Sequence, residues 1–314
     1  MPVDCPHGGS ISLEWGALIG EYASDDGAFI IKGRAVEYEG KPSPPIGSFL
    51  RNQWLSRGTV EATLHFSAVE AVSAAALILN YNLASKAFLA AGLGGPGLFA
   101  IRSFAGQWNI HDATGEISNL RPERDYRLVA TLAGSSVALS VNGVQVLATQ
   151  ITSPLQRSQV GLFFLSHHDV RVSDFLVRDE KPTAFVVMQF SSPYNEVYSD
   201  VIQGVCKALG VHPQKTDEAF GPGVIIADIA RQIVESHLVI AELSPSNPNV
   251  YYEVGFAHAL RKPTILIAEK GTQLPFDVSP FRVLFYENSI PGKTRFEEGL
   301  RRHVEAIIGP RSGT

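Results

Sequence analysis

The hydrophobic pattern of this chain changes period once, near residues 178–183, and that change constrains what each half can fold into. Before it, apolar and polar residues alternate, as in strands with one buried and one wet face. Thr59–Ala68 alternates over its whole length and Tyr126–Leu132 nearly so. Asn142-Gly143 follows Val137–Val141 and precedes Val144–Val146. An Asn-Gly pair tolerates the positive φ angles of a type I′ turn, so this stretch predicts a hairpin. Further strands are expected at Phe29–Val36, Ala75–Tyr81, Leu98–Phe104, Val160–Leu165 and Val170–Val177. Short strands separated by turn residues, with hardly any helical window, predict an antiparallel β-sandwich over residues 1–177.

Residues 178–183, Arg-Asp-Glu-Lys-Pro-Thr, read as a linker: a run of charges, then a proline that cannot continue a ladder. Over residues 184–314 the texture differs. Ala184–Met188 is a continuous apolar run, expected of a strand covered on both faces. A helix follows from about Asn195 to Leu209, then a strand at Val211–Gln214, a helix at Val224–Ser236 and a strand at Leu238–Ala241. Asn247-Pro248-Asn249 opens the next helix, followed by strands at Thr264–Ala268 and Arg282–Tyr286 and a last helix at Thr294–Ile308. Strands alternating with helices predict a doubly wound parallel sheet in flavodoxin-like order, 2-1-3-4-5.

With 314 residues, 45% hydrophobic and 18% charged, the chain can bury two cores and does not read as disordered. A net charge of −5 without a Lys/Arg block argues against direct nucleic-acid binding. No basic leader with an apolar core and no membrane-length apolar run is visible, so a cytoplasmic protein is expected. Cys5 and Cys206 fall in different halves, and no disulfide is expected.

In a 2-1-3-4-5 sheet, ligands bind beyond the carboxyl ends of the first and third strands. The loop after the first contributes Gln189, Phe190, Ser191 and Tyr194; the loop after the third contributes Glu242, Ser244, Asn247 and Asn249. Glu253 lies one turn into the next helix, where the macrodipole is expected to favour its ionised form. Cleaving an N-glycosidic bond calls for such a carboxylate, because the sugar carbon becomes cationic as the base departs. Glu242 is then the candidate second carboxylate, orienting a ribose hydroxyl or a water. Phe190, Tyr194 and Tyr252 are candidate platforms for the base, and Asn247 and Asn249 offer amides. Either Asn247 or Asn249 serves as the N-cap. Tyr251 and Tyr252 point about 100° apart, so one is expected against the sheet and the other towards the cleft. Gly255 is expected to permit close helix–sheet approach. Asp217, Glu218 and Gly221-Pro222-Gly223 read first as an ordinary surface loop and second as a lid over the cleft.

The chain lacks a Walker loop, a His-Glu-x-x-His and a Gly-x-Ser-x-Gly, so a site without metal is expected. His167-His168-Asp169 reads as a solvated turn. Trp15, Trp54 and Trp108 are read first as core and second as sugar platforms.

The second half resembles the TIR-like branch of the nucleoside 2-deoxyribosyltransferase superfamily. The resemblance rests on Met188-Gln189-Phe190, Glu242-Leu243-Ser244, Asn247-Pro248-Asn249-Val250-Tyr251-Tyr252-Glu253-Val254-Gly255 and Pro275-Phe276-Asp277, with Gln189 in place of a proline and Glu242 in place of an aspartate. It implies cleavage of the N-glycosidic bond of NAD or a related nucleotide as substrate, no cofactor, Glu253 as the catalytic carboxylate, homo-oligomeric assembly and a role in bacterial antiphage defence. The first half resembles the jelly-roll concanavalin A-like lectins and glucanases in strand spacing, in Gly106-Gln107-Trp108 and in the Asn142-Gly143 hairpin. That implies a sensing or assembly module with a glycan or protein ligand. Two alternatives stand beside this reading: a nucleotide-sensing module that does not cleave, and a nucleoside deoxyribosyltransferase that exchanges bases.

Overall fold

The computed structural model describes residues 15–25, 28–33, 36–38, 41–43, 46–152, 155–215, 225–278 and 280–309. The chain divides into two compact units. The first runs through Thr131 and adds Ala138–Thr149 and Ser158–Arg178; the second comprises Leu132–Val137, Gln150–Arg157 and the chain from Asp179 onward.

The first unit is a β-sandwich of two antiparallel sheets. Its early strands are β1 (Trp15–Ile19), β2 (Tyr22–Asp25), β3 (Ala28–Ile31), β4 (Val36–Tyr38), β5 (Lys41–Ser43), β6 (Ile46–Leu55), β7 (Gly58–Phe66) and β8 (Ala74–Asn82). There follow β9 (Ala87–Leu93), β10 (Phe99–Phe104), β11 (Trp108–Thr114), β12 (Asp125–Ala133), β13 (Ser136–Val141), β14 (Val144–Gln150), β15 (Ser158–Leu165) and β16 (Val170–Asp179). One sheet has the order β1-β6-β15-β8-β9-β10-β11, the other β14-β13-β12-β7-β16-β3-β2. Alternation places Phe49, Leu77, Leu79 and Ile101 of the first and Val60, Leu64, Phe66 and Leu128 of the second out of water. The predicted hairpin is present: Asn142 and Gly143 both have positive φ, 50° and 82°. The Asn142 side chain accepts the Arg127 amide at 2.8 Å, which secures the turn to the neighbouring strand.

In the second unit β17 (Thr183–Val187), β18 (His212–Lys215), β19 (Leu238–Glu242), β20 (Thr264–Glu269) and β21 (Val283–Tyr286) pair in parallel. Their order, β18-β17-β19-β20-β21, is the 2-1-3-4-5 expected from the alternating pattern. The helices are α1 (Tyr194–Val197), α2 (Gln203–Ala208), α3 (Ile225–Glu235), α4 (Pro248–Ala259) and α5 (Ile290–Ile308). Tyr198–Ile202 forms a π-helical turn between α1 and α2. The expected linker is partly strand, since Arg178 and Asp179 end β16 and Thr183 begins β17.

Strand parity sorts the layers. Ala184, Val186, Leu238, Ile240, Ile265 and Ile267 face α2 and α5, whose Val205, Phe296 and Leu300 cover them. Phe185, Val187, Val239, Ala241 and Leu266 face α3 and α4, covered by Ile233, Val250, Val254 and Ala257. Each strand is apolar on both sides because each side carries helices. Cys206 is free and buried, and among the described helices none is long and apolar enough to cross a membrane.

Candidate active site at the carboxyl rim of the parallel sheet

Asn247 is the N-cap of α4: its side-chain oxygen accepts the Asn249 amide at 2.9 Å, and Pro248 takes the first helical position. This settles which asparagine caps the helix and leaves Asn249 exposed. The same Asn247 donates through Nδ2 to Oε1 of Gln189 at 3.2 Å, and Gln189 Nε2 donates to Ser191 Oγ at 2.9 Å. The loop after β17 and the start of α4 are therefore joined by side-chain amides. Of the predicted residues, these are brought together directly.

Counting from that cap, Glu253 lies in the second turn of α4, beyond the first-turn orphan amides where the dipole acts. It sits three residues from Val250 and four from Ala257, beside the stripe that packs on the sheet, and only 9% of its surface is exposed. Burial raises its carboxyl to about 7. The expectation that the dipole holds it ionised is thus reversed, because desolvation outweighs a field that has faded by the second turn. Among the described residues no hydrogen bond or ion pair of its carboxyl is found. The loop at 216–224, including Asp217, Glu218 and Gly221-Pro222-Gly223, lies outside the described residues.

Glu242 shares the parity of Leu238 and Ile240, so it belongs to the α2/α5 side, whereas α4 packs on the other. It is 1% exposed, and Oε1 accepts the Ser244 amide at 2.7 Å while Oε2 makes no hydrogen bond among the described residues. Burial raises this carboxyl to about 8, against the lowering influence of Ser244 and of the Tyr286 hydroxyl that bears on it. Burial thus disfavours its charge, and it anchors its own loop where the sequence offers it as a second carboxylate orienting a ribose hydroxyl or a water. Ser244 extends the anchor, pairing its hydroxyl with Thr272 at 2.7 Å and accepting the Glu269 amide at 2.9 Å.

Tyr194 lines a hollow of about 110 Å³ with Glu196, Asp200, Glu269, Tyr286 and Lys293. Its hydroxyl is shifted upward by burial and by the charges of Glu269 and Glu242. Glu269 and Tyr286 were not singled out from the sequence, yet Glu269 has the parity of Ile265 and Ile267, a signal that was readable. Phe190 packs against the α2/α5 core, edge-on to Tyr198 at 6.1 Å, with the Lys215 ammonium 5.3 Å from its ring centre. Tyr251 packs against the α3/α4 core, and Tyr252 stands 61% exposed. Gly255 is exposed with open space where a Cβ would lie, so it does not serve a close helix–sheet approach.

In the sandwich, His167 and His168 both pair with Glu70, at 2.9 and 3.0 Å. Trp15 stacks on Phe29 at 4.8 Å, whereas Trp108 is 43% exposed.

No family model matches the chain. No curated protein matches it. Solved structures similar to about half of the chain include the carbohydrate-binding module CBM66 from Bacillus subtilis, at 13% identity and a TM-score of 0.43, covering 52% of this chain and 93% of that one. A β-1,3-1,4-glucanase (lichenase) derived from a mouse hindgut metagenome matches at 11% identity and a TM-score of 0.38, over 51% of this chain and 90% of that one. The β-glucanase of Bacillus licheniformis matches at 9% identity and a TM-score of 0.38, over 54% and 95%. At such TM-scores the likeness carries no argument, and the sandwich rests on its own strand pairing.

Proposed function

We propose that the second unit is a TIR-like N-glycosidase that cleaves the N-glycosidic bond of NAD or a related nucleotide, with Glu253 as the catalytic carboxylate. The observation that carries this reading is a buried Glu253 carboxyl, raised to about 7 and without a partner among the described residues, on the helix whose cap is tied to the loop after β17. A buried acid without a partner costs stability, and such groups concentrate where chemistry needs them.

The reaction breaks the bond between the ribose anomeric carbon and the ring nitrogen, and the electron pair leaves with the ring. The cationic sugar carbon is stabilised or captured by the ionised carboxylate, and a water then supplies the new oxygen while losing a proton. Asn247 and Gln189, joined by a hydrogen bond between the start of α4 and the loop after β17, are on this reading the residues that meet the sugar. The first unit, on this reading a concanavalin A-like sandwich, senses a glycan or protein ligand or drives assembly of copies in the cytoplasm, and the whole acts in antiphage defence.

The test incubates the full-length protein with NAD and follows free nicotinamide by chromatography, beside Glu253→Gln. Release by the parent chain and a loss of at least about a hundredfold in the variant support the reading. Equal release by both overturns it. Binding of NAD that is recovered intact from both proteins selects the nucleotide-sensing alternative, and release that requires an added acceptor base selects the deoxyribosyltransferase.

A further inference from the structure

The outer face of the sheet that ends in β10 and β11 holds a cation with no anion among the described residues. Arg102, on β10, is 6% exposed, and its Nε and Nη2 make no hydrogen bond among the described residues. Its guanidinium carbon lies 5.0 Å from the Trp108 ring centre and 5.1 Å from that of Phe163. Phe88 and Phe104 complete the surround, each within 5.7 Å of a neighbouring ring of the cluster. Room for the head group is made at Gly95, where any Cβ would collide with Nη1. The neighbouring Ile78, Ala90 and Phe163 form one buried apolar cluster, so the charge sits in a poorly solvated place. Burial lowers this guanidinium to about 10, which leaves it charged at neutral pH.

Rings offer the cation partial compensation through their faces, but the guanidinium fork has donors that only an acceptor can satisfy. A buried donor edge left empty is costly, and a carboxylate matches it bidentately. Trp108, whose ring meets this guanidinium, lies on the last strand of the sheet and is 43% exposed; beside it Ile110 is equally open. An indole face at the rim stacks on the flat side of a ring. The two features select for one chemistry: charge for the fork, a ring for the indole.

We propose that this face binds a small ligand in which a carboxylate is attached to a ring, the carboxylate pairing with Nε and Nη2 of Arg102 after Trp108 turns aside and the ring resting against Trp108. The proposal is independent of the reaction assigned to Glu253. It narrows the glycan expected for the sandwich to an acidic one, and it equally admits an aromatic acid.

The experiment titrates the full-length protein with glucuronate and with benzoate by calorimetry, with glucose and benzyl alcohol as their neutral controls and acetate as the acid without a ring, and follows tryptophan emission in parallel. Glucuronate or benzoate is expected to bind at least about tenfold more tightly than its control, with a change in emission. Arg102→Met, which keeps a long apolar side chain among the rings, is expected to erase that preference. Preference for glucuronate assigns the ligand to sugar acids, preference for benzoate to aromatic acids. Equal affinity for acid and control, or a preference that survives Arg102→Met in a variant with unchanged far-ultraviolet dichroism, overturns the proposal. So does the absence of any binding by either acid at millimolar concentration.

Discussion

Replacing Glu253 by glutamine should stabilise the second unit, and only above mildly acidic pH. The carboxyl stands at an ordinary 4.5 in the unfolded chain and at about 7 when folded. A raised acid is fully compatible with the fold below pH 4.5 and becomes a growing penalty as pH rises through 7. At about 1.4 kcal/mol per unit the penalty reaches roughly 2–3 kcal/mol at pH 8, discounted slightly because the side chain keeps a sliver of solvent contact. Glutamine has nearly the same shape and no charge, so the variant avoids that penalty. The assay is urea unfolding of the full-length protein followed at 222 nm, a signal dominated by α3, α4 and α5 of the second unit. The gain should be near zero at pH 4.5 and about 2–3 kcal/mol at pH 8. A gain that does not change with pH, or none at pH 8, would refute the claim that the folded state desolvates this carboxyl.

Lys262 offers a second pH test with a different window: it is 6% exposed, and its ammonium donates to Ser135 Oγ at 2.9 Å and to the carbonyls of Val234 and Ser236 at 2.8 Å. Burial lowers it from 10.5 to about 8, so its contribution is present above 10.5 and lost as pH falls through 8. The stability of the parent relative to Lys262→Met should therefore rise between pH 8 and 10.5, by on the order of 3 kcal/mol, in matched urea titrations. Asn247→Ala removes a helix cap and should cost the second unit about 1 kcal/mol in the same 222 nm assay, while raising KM for NAD if the link to Gln189 shapes the rim. Cys206 is buried with its thiol pushed up to about 12, so peptide mapping should show no alkylation of Cys206 at pH 8 until urea opens the second unit.

The order of the parallel sheet was legible because Ala184–Met188, Leu238–Ala241 and Thr264–Ala268 are uninterrupted apolar runs, and few arrangements cover such strands on both faces. Asn142-Gly143 was legible because its backbone demand is local. Trp108–Thr114 and Ala87–Leu93 were not singled out: the first is an edge strand with mixed polarity, the second is rich in Ala and Gly, and both owe their conformation to neighbours. At the rim, Asn247, Pro248 and the helix they open could be read, because capping is a short-range hydrogen bond. The state of Glu253 could not. Its depth follows from where Val250, Val254 and Ala257 meet the sheet, which is a property of packing. The burial of Glu242 was hidden for a related reason, since at the end of β19 it continues the inward alternation of Leu238 and Ile240 instead of starting the loop.

The reversal at Glu253 bears on the proposed reaction. A carboxyl near 7 is half protonated at neutral pH, which by itself would weaken its support of a cationic sugar carbon. A nicotinamide ring attached to ribose carries a positive charge, and an opposite charge within about 4–6 Å lowers a carboxyl by about 1–3 units. On the proposed reading, substrate of that class would therefore ionise the acid on arrival. Departure of the ring as a neutral molecule removes that charge as the sugar carbon acquires its own, so the carboxylate keeps a cation to face. The profile of kcat/KM for nicotinamide release should accordingly rise with pH through about 7, the value for the free enzyme, while kcat levels off at a pH lower by about 1–3 units. A kcat that falls as pH rises through 7 would assign Glu253 to proton donation and sink its role as the partner of the cationic carbon.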